Sequence, residues 1–148
     1  MEEKDSAKTE ATAGGYKVLL VDDDDFMIDM YCRKFTQSGD EVRSASNVNE
    51  GLELLRSGFK PDAVVFDLAM PGKTGIDFLT AVREEKLAAG TVMVALTNQW
   101  EAQHKEKVES LGADGYIIKA EVVPSEIMKK VHELILAKHG REPRSPQR

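Results

Sequence analysis

Four apolar residues in a row, Ala63-Val64-Val65-Phe66, stop on a single carboxylate, Asp67, and Pro71, Gly72 and Gly75 follow within a few positions. An apolar run without alternation fits a strand buried on both faces, and the proline and glycines mark the turn that ends it. Asp67 therefore belongs at the carboxyl end of a buried strand. In a sheet covered on both faces by helices, that edge is where ligands collect. The same pattern recurs along the chain. Tyr16-Lys17-Val18-Leu19-Leu20-Val21 ends on Asp22-Asp23-Asp24-Asp25, and Thr91-Val92-Met93-Val94-Ala95-Leu96 ends on Thr97-Asn98. The shorter Tyr116-Ile117-Ile118 ends on Lys119, and Glu41 to Ala45 reads as a weaker strand.

Between these runs the apolar period changes from strand to helix. Phe26, Met27, Met30, Tyr31 and Phe35 recur at helical spacing and are closed by Ser38-Gly39. Asn47-Val48-Asn49-Glu50 has the form of a capping box opening a helix through Val48, Leu52 and Leu55 to Gly58. Thr74 and Asp77 predict a reciprocal cap for a helix carrying Ile76, Leu79 and Val82. The segment from Trp100 to Ser110 is polar, with Val108 and Leu111 its main anchors besides Trp100, and is expected to pack loosely. Gly112 and Gly115 bracket the next turn, and Pro124 to His139 form a last amphipathic helix through Ile127, Val131, Leu134 and Ile135. Five strands alternating with five helices imply βαβ crossovers: an α/β, doubly wound, five-stranded parallel sheet. One edge of that sheet gathers Asp22, Asp23, Asp67, Thr97 and Lys119.

Composition narrows the function classes. A chain of 148 residues fits one domain with a real core. Its formal charge of -6 argues against nucleic acid as a partner. Cys32 is the only cysteine, which excludes an intramolecular disulfide and suits a reducing compartment. No apolar run approaches membrane-spanning length, and residues 1–15 lack the apolar core of a signal peptide, so a cytoplasmic protein without a membrane partner is expected. Residues 1–15 read as a disordered leader, 16–139 as the folded domain and 140–148 as a flexible tail.

Each residue of the edge has an ordinary explanation on its own. Acidic runs cap helices, and Asp24 and Asp25 are read that way; an aspartate ends a turn, a threonine caps a strand end, a lysine sits in solvent. Their convergence is what carries information. Two like unit charges about 4 Å apart cost roughly 4 kcal/mol at an effective dielectric of about 20, so three carboxylates at one edge call for a cation or a proton. Hard oxygen ligands without cysteine or histidine favour Mg²⁺. An acidic metal pocket with one lysine and one hydroxyl suits phosphoryl transfer to a carboxylate, with Asp67 as the central acceptor.

Together, Val18-Leu19-Leu20-Val21-Asp22-Asp23, Val64-Val65-Phe66-Asp67-Leu68-Ala69-Met70-Pro71-Gly72 with Gly75, Ala95-Leu96-Thr97, and Leu111-Gly112-Ala113-Asp114-Gly115-Tyr116-Ile117-Ile118-Lys119 resemble the receiver domain of two-component response regulators. The resemblance spans about residues 16–139 and is to the stand-alone, single-domain type, similar to the chemotaxis response regulator. It implies a flavodoxin-like (βα)5 fold with strand order 2-1-3-4-5. It also implies that Asp67 accepts a phosphoryl group from a sensor histidine kinase or histidine phosphotransfer protein. Asp23, Asp67 and the Ala69 backbone carbonyl would bind Mg²⁺, with Mn²⁺ able to substitute and Asp22 acting mainly through water. Lys119 would pair with phosphoryl oxygens, while Thr97 and Tyr116 would form the switch, altering the face of the fourth helix, fifth strand and fifth helix. The chain would catalyse only its own phosphorylation and slow dephosphorylation, act on an unknown downstream protein without an attached output domain, and be a monomer or a phosphorylation-dependent dimer.

Several positions depart from the family pattern. Ala120 stands where the family usually has proline after a typically cis bond, so Lys119–Ala120 is either trans with a reshaped loop or strained. Asn98 replaces a small residue beside the approach to Asp67, Thr74 replaces a frequent aspartate, and Ala69 and Gln99 occupy positions that tune dephosphorylation. A haloacid-dehalogenase-like phosphatase is disfavoured because the residue pattern after the first strand does not fit and there is no cap domain. Flavin binding is disfavoured by four aspartates where a phosphate would need donors. A receiver-like scaffold that is never phosphorylated is the alternative reading.

Overall fold

The computed structural model describes residues 15–98 and 100–140. Residues 1–14 of the expected leader, 141–148 of the expected tail, and Gln99 lie outside the described residues. The elements run β1 (Lys17–Val21), α1 (Asp25–Gln37), β2 (Glu41–Ala45), α2 (Val48–Arg56), β3 (Ala63–Asp67) and α3 (Gly75–Glu84). They continue with β4 (Val92–Thr97), α4 (Ala102–Ser110), β5 (Gly115–Ile118), a 3-10 turn (Lys119–Glu121) and α5 (Pro124–His139). The strands form one sheet in the order β2-β1-β3-β4-β5, every pair parallel. This is the doubly wound order 2-1-3-4-5.

The apolar runs of β1, β3 and β4 are buried on both faces because each feeds two cores in alternation. Leu19, Val21, Val64, Phe66, Met93 and Ala95 pack against Leu52 of α2, Phe78 and Leu79 of α3 and Val108 of α4. Val18, Leu20, Val65, Val94, Leu96 and Ile117 pack against Tyr31 and Phe35 of α1 and Ile127, Val131 and Ile135 of α5. Burying one such side chain stabilises by roughly 1.5–3 kcal/mol. The alternation also sorts the strand ends. By strand alternation Asp22 and Asp67 continue the rows of Leu20 and Val65, which face α1 and α5.

Helix starts follow local chemistry. Asp24 accepts from the N–H groups of Phe26 and Met27, so it caps α1 as expected. Thr74 and Asp77 form the reciprocal box at α3. At α2 the expected box is only half made: Asn47 accepts from Glu50 N–H at 2.8 Å, but the Glu50 carboxylate takes the N–H and hydroxyl of Ser46, each at 2.9 Å. Those bonds from Ser46 lower the Glu50 pKa. The fourth helix begins later than Trp100, because Glu101 is extended and makes no side-chain cap bond. α5 begins at Pro124 with the Glu126 carboxylate accepting from Val123 N–H, and closes on left-handed Gly140.

Two polar contacts brace the helices. Asp40 accepts from Tyr16 N–H at 3.0 Å and lies 2.6 Å from His132 Nε2, a buried link between α5 and the entry to β1. Arg83 of α3 donates to the carbonyls of Leu111 (2.7 Å) and Gly112 (3.0 Å), fixing the C-terminal end of α4. On the edge strand β2, Glu41, Arg43 and Ser44 are exposed. Among the described residues no helix is long and apolar enough to cross a membrane.

Candidate functional site

The carboxyl edge of the sheet carries an acidic pocket. One carboxylate oxygen from each of Asp22, Asp23 and Asp67 lies within 4.8 Å of the others. Asp22 and Asp67 are only 2% and 3% exposed, while Asp23 faces solvent. Gly75 makes room for this corner, since a Cβ there would run into the Asp67 backbone carbonyl and Leu68. Asp22 Oδ1 accepts from Asp24 N–H at 3.0 Å, and Asp67 Oδ1 accepts from Ala69 N–H at 3.3 Å. The Lys119 ammonium reaches across from the end of β5, 3.0 Å from Asp22 and 3.4 Å from Asp67. A cavity of about 420 Å³ opens over these groups, lined by Asp23, Asp24, Met27, Asp67, Ala69, Asn98, Lys119 and Ala120.

The electrostatics follow from burial. Desolvation raises the Asp67 pKa, and the charge of Asp22 adds to it, against the opposing pull of Lys119 and the Ala69 N–H. For Lys119, burial works to lower the pKa, but the attraction of Asp22 and Asp67 and their hydrogen bonds prevail, so the ammonium holds its proton more firmly than a free lysine. The pocket thus stores one cation against buried carboxylates. A further divalent cation suits the donor set, which is all oxygen.

The structure brings Asp22, Asp23, Asp67, Ala69 and Lys119 together at this pocket. The Lys119–Ala120 bond is trans, and the 3-10 turn that starts at Lys119 still delivers the ammonium to both aspartates. Thr97 is buried at the end of β4, and Asn98 after it lines the cavity. Tyr116 packs on the α2/α3/α4 side, and its hydroxyl accepts from Glu101 N–H at 3.3 Å and lies 3.5 Å from the Glu101 carbonyl. It therefore touches the residue just before α4.

Tyr31 was not singled out by its sequence position, which made it one more member of the α1 stripe. It is buried, and its pKa is pushed up to about 12 by burial and then by the charges of Asp22, Asp67 and Asp24. The available signal was a hydroxyl in an otherwise apolar row, seven positions after Asp24.

Comparison with known proteins agrees with this geometry. The family described as "Response regulator receiver domain" matches residues 18–132. Chemotaxis protein CheY of Halobacterium salinarum is 30% identical over 121 residues, covering 82% of this chain and 98% of its own. The nitrate/nitrite response regulator protein NarL of Escherichia coli is 32% identical over 121 residues, covering 78% of this chain, which spans only 53% of that relative. Among solved structures, Vibrio cholerae chemotaxis protein CheY4 superimposes with a TM-score of 0.74 at 28% identity, covering 84% of this chain and 99% of that one. A CheY-like receiver domain protein of Methanospirillum hungatei gives 0.76 at 24% identity over 87% of this chain and 98% of that one, a likeness of fold alone. The family match over residues 18–132, with a relative covered almost end to end and the shared fold, thus places this chain in the response regulator receiver domain family, the phosphorylation-dependent switches of two-component signalling, as a signalling domain rather than a conventional enzyme.

Proposed function

We propose that Asp67 accepts a phosphoryl group from a phosphohistidine on a sensor histidine kinase or histidine phosphotransfer protein, and that the modified chain changes its affinity for a downstream protein. The observation that carries this reading is the Lys119 ammonium held 3.4 Å from a buried Asp67 under an open cavity. The P–N bond of the donor breaks as a P–O bond to Asp67 forms. Desolvation leaves the Asp67 carboxylate poorly stabilised and therefore a better nucleophile, and Lys119 is placed to pair with the incoming oxygens.

The oxygen donors fit Mg²⁺, with Mn²⁺ as a substitute: Asp23, Asp67 and the Ala69 carbonyl would hold it directly and Asp22 through water. When bound, the ion supplies positive charge against that on the transferring phosphoryl oxygens. Thr97 would turn its hydroxyl towards the phosphoryl group. Tyr116, now held at Glu101, would follow and release the N-terminal end of α4. Water attack on the acyl phosphate resets the switch, and Asn98 at the cavity wall bears on its access.

Intact mass after incubation with Mg²⁺ and acetyl phosphate tests this. A gain of one phosphoryl group that requires Mg²⁺ and vanishes in Asp67→Asn is expected. No adduct from either acetyl phosphate or a phosphohistidine donor would leave the chain as a scaffold that is not phosphorylated.

A further inference from the structure

The α1/α5 core contains one polar group that packing alone does not require. Tyr31 is 2% exposed, and its hydroxyl has no hydrogen-bond partner among the described residues. Buried hydroxyls in folded proteins are almost always paired, by protein or by ordered water. A phenylalanine would fill the same space without that demand.

Its position points to the acidic pocket. Tyr31 packs in one cluster with Leu20 and Val65, the residues two places before Asp22 and Asp67 on the same strand face. On α1 it lies one turn below Met27, which lines the cavity, and about two turns below the cap residue Asp24. Long helical side chains lean towards the helix N-terminus, which here is the pocket end. The phenol also feels the charges of Asp22, Asp67 and Asp24, and its firmly held proton makes it a donor at any working pH.

Asp22 has a use for such a donor. Its buried carboxylate is held by Asp24 N–H on one oxygen and by Lys119 on the other. A divalent cation entering the pocket repels the Lys119 ammonium and weakens that second contact. A neutral donor does not compete with the cation.

We infer that Tyr31 is a positioning residue of the acidic pocket, its phenol donating across one ordered water to the buried side of Asp22 and holding that carboxylate in place for a divalent cation. This rests on the cation-dependent reading proposed above. The wild-type protein and Tyr31→Phe are titrated with MgCl₂ by calorimetry. The near-ultraviolet tyrosine difference spectrum on adding MgCl₂ is recorded for both and for Tyr16→Phe and Tyr116→Phe. A roughly tenfold weaker Mg²⁺ affinity in Tyr31→Phe is expected, the low end for losing an outer partner of a metal ligand. A tyrosine difference band should persist in Tyr16→Phe and Tyr116→Phe and disappear in Tyr31→Phe, whose melting curve should stay close to wild type. Unchanged affinity, or a band that survives in Tyr31→Phe or is absent from the wild-type complex, overturns the inference. A wild-type protein that binds no Mg²⁺ overturns the underlying reading instead. If Tyr31→Phe failed to fold, the wild-type, Tyr16→Phe and Tyr116→Phe spectra would still decide.

Discussion

α5 and α4 flank the same strand, β5, and are held to it in very different ways. α5 has sixteen residues, buries Ile127, Val131 and Ile135, and adds the His132–Asp40 contact at its middle. α4 has nine residues, buries only Val108, and has no side-chain cap. Its C-terminal end is clamped by Arg83, whereas its N-terminal end meets the Tyr116 hydroxyl at long range. Helices draw most of their stability from a packed apolar face, so displacing α4 costs far less than displacing α5. On the reading proposed above, a new charge at Asp67 would have a fixed reference on one side of β5 and a lightly held lever on the other. With Arg83 holding the far end, any such movement of α4 is expected at its N-terminal end.

Stability measurements can break this contrast. Asp40→Ala removes the buried carboxylate shared by Tyr16 N–H and His132, two contacts at once, and is expected to cost about 3–5 kcal/mol in urea unfolding. Ile135→Ala on α5 should cost about 3 kcal/mol as a cavity in a closed core. Val108→Ala removes the one buried anchor of α4 and should cost about 1.5 kcal/mol, since about two methylene equivalents are lost. If Val108→Ala proved as damaging as Ile135→Ala, α4 would be no lever. The smallest pair concerns the caps: Thr74→Ala should cost about 1 kcal/mol, and Glu101→Ala less than about 0.5 kcal/mol because its side chain makes no cap bond.

The acidic pocket reverses the usual sign. Folding raises the Asp67 pKa, so the folded protein holds that proton more tightly than the unfolded chain, and stability falls as pH rises from the ordinary 3.8 through the raised value. Asp67→Asn should therefore melt higher than wild type at pH 7 without divalent ions, and the gain should fade by about pH 3. Lys119 works the other way. Its raised pKa means that its contribution is complete below the ordinary 10.5 and is lost as pH climbs through the folded value. A lower melting temperature for Asp67→Asn at neutral pH would mean that the ion pair outweighs desolvation.

Much of this was legible because it is local. Uninterrupted apolar runs gave β1, β3 and β4, and parallel strands carried Asp22, Asp67, Thr97 and Lys119 to one edge without any knowledge of contacts. Thr74 and Asp77 capped α3 as their spacing required. The misses concern partners that local spacing does not choose. Glu50 met Ser46 instead of Asn47, and the fourth helix began at Ala102, where the N-cap residue Glu101 makes no side-chain cap bond. The His132–Asp40 contact joins residues 92 positions apart, and its only trace was a histidine next to Val131 within an apolar row. Tyr31 was hidden for the opposite reason: it fitted the stripe so well that its hydroxyl went unasked.

An open sheet has two edges, and an unpaired edge invites another strand. Here one edge is β2, whose outward residues include Glu41 and Arg43, with the Arg43 guanidinium stacked 4.8 Å over the Phe59 ring. The other is β5, four residues long. A charged edge and a short edge both resist growth by strand addition. Both flanks of the sheet that holds the acidic pocket are thus guarded against strand-by-strand growth as the protein accumulates.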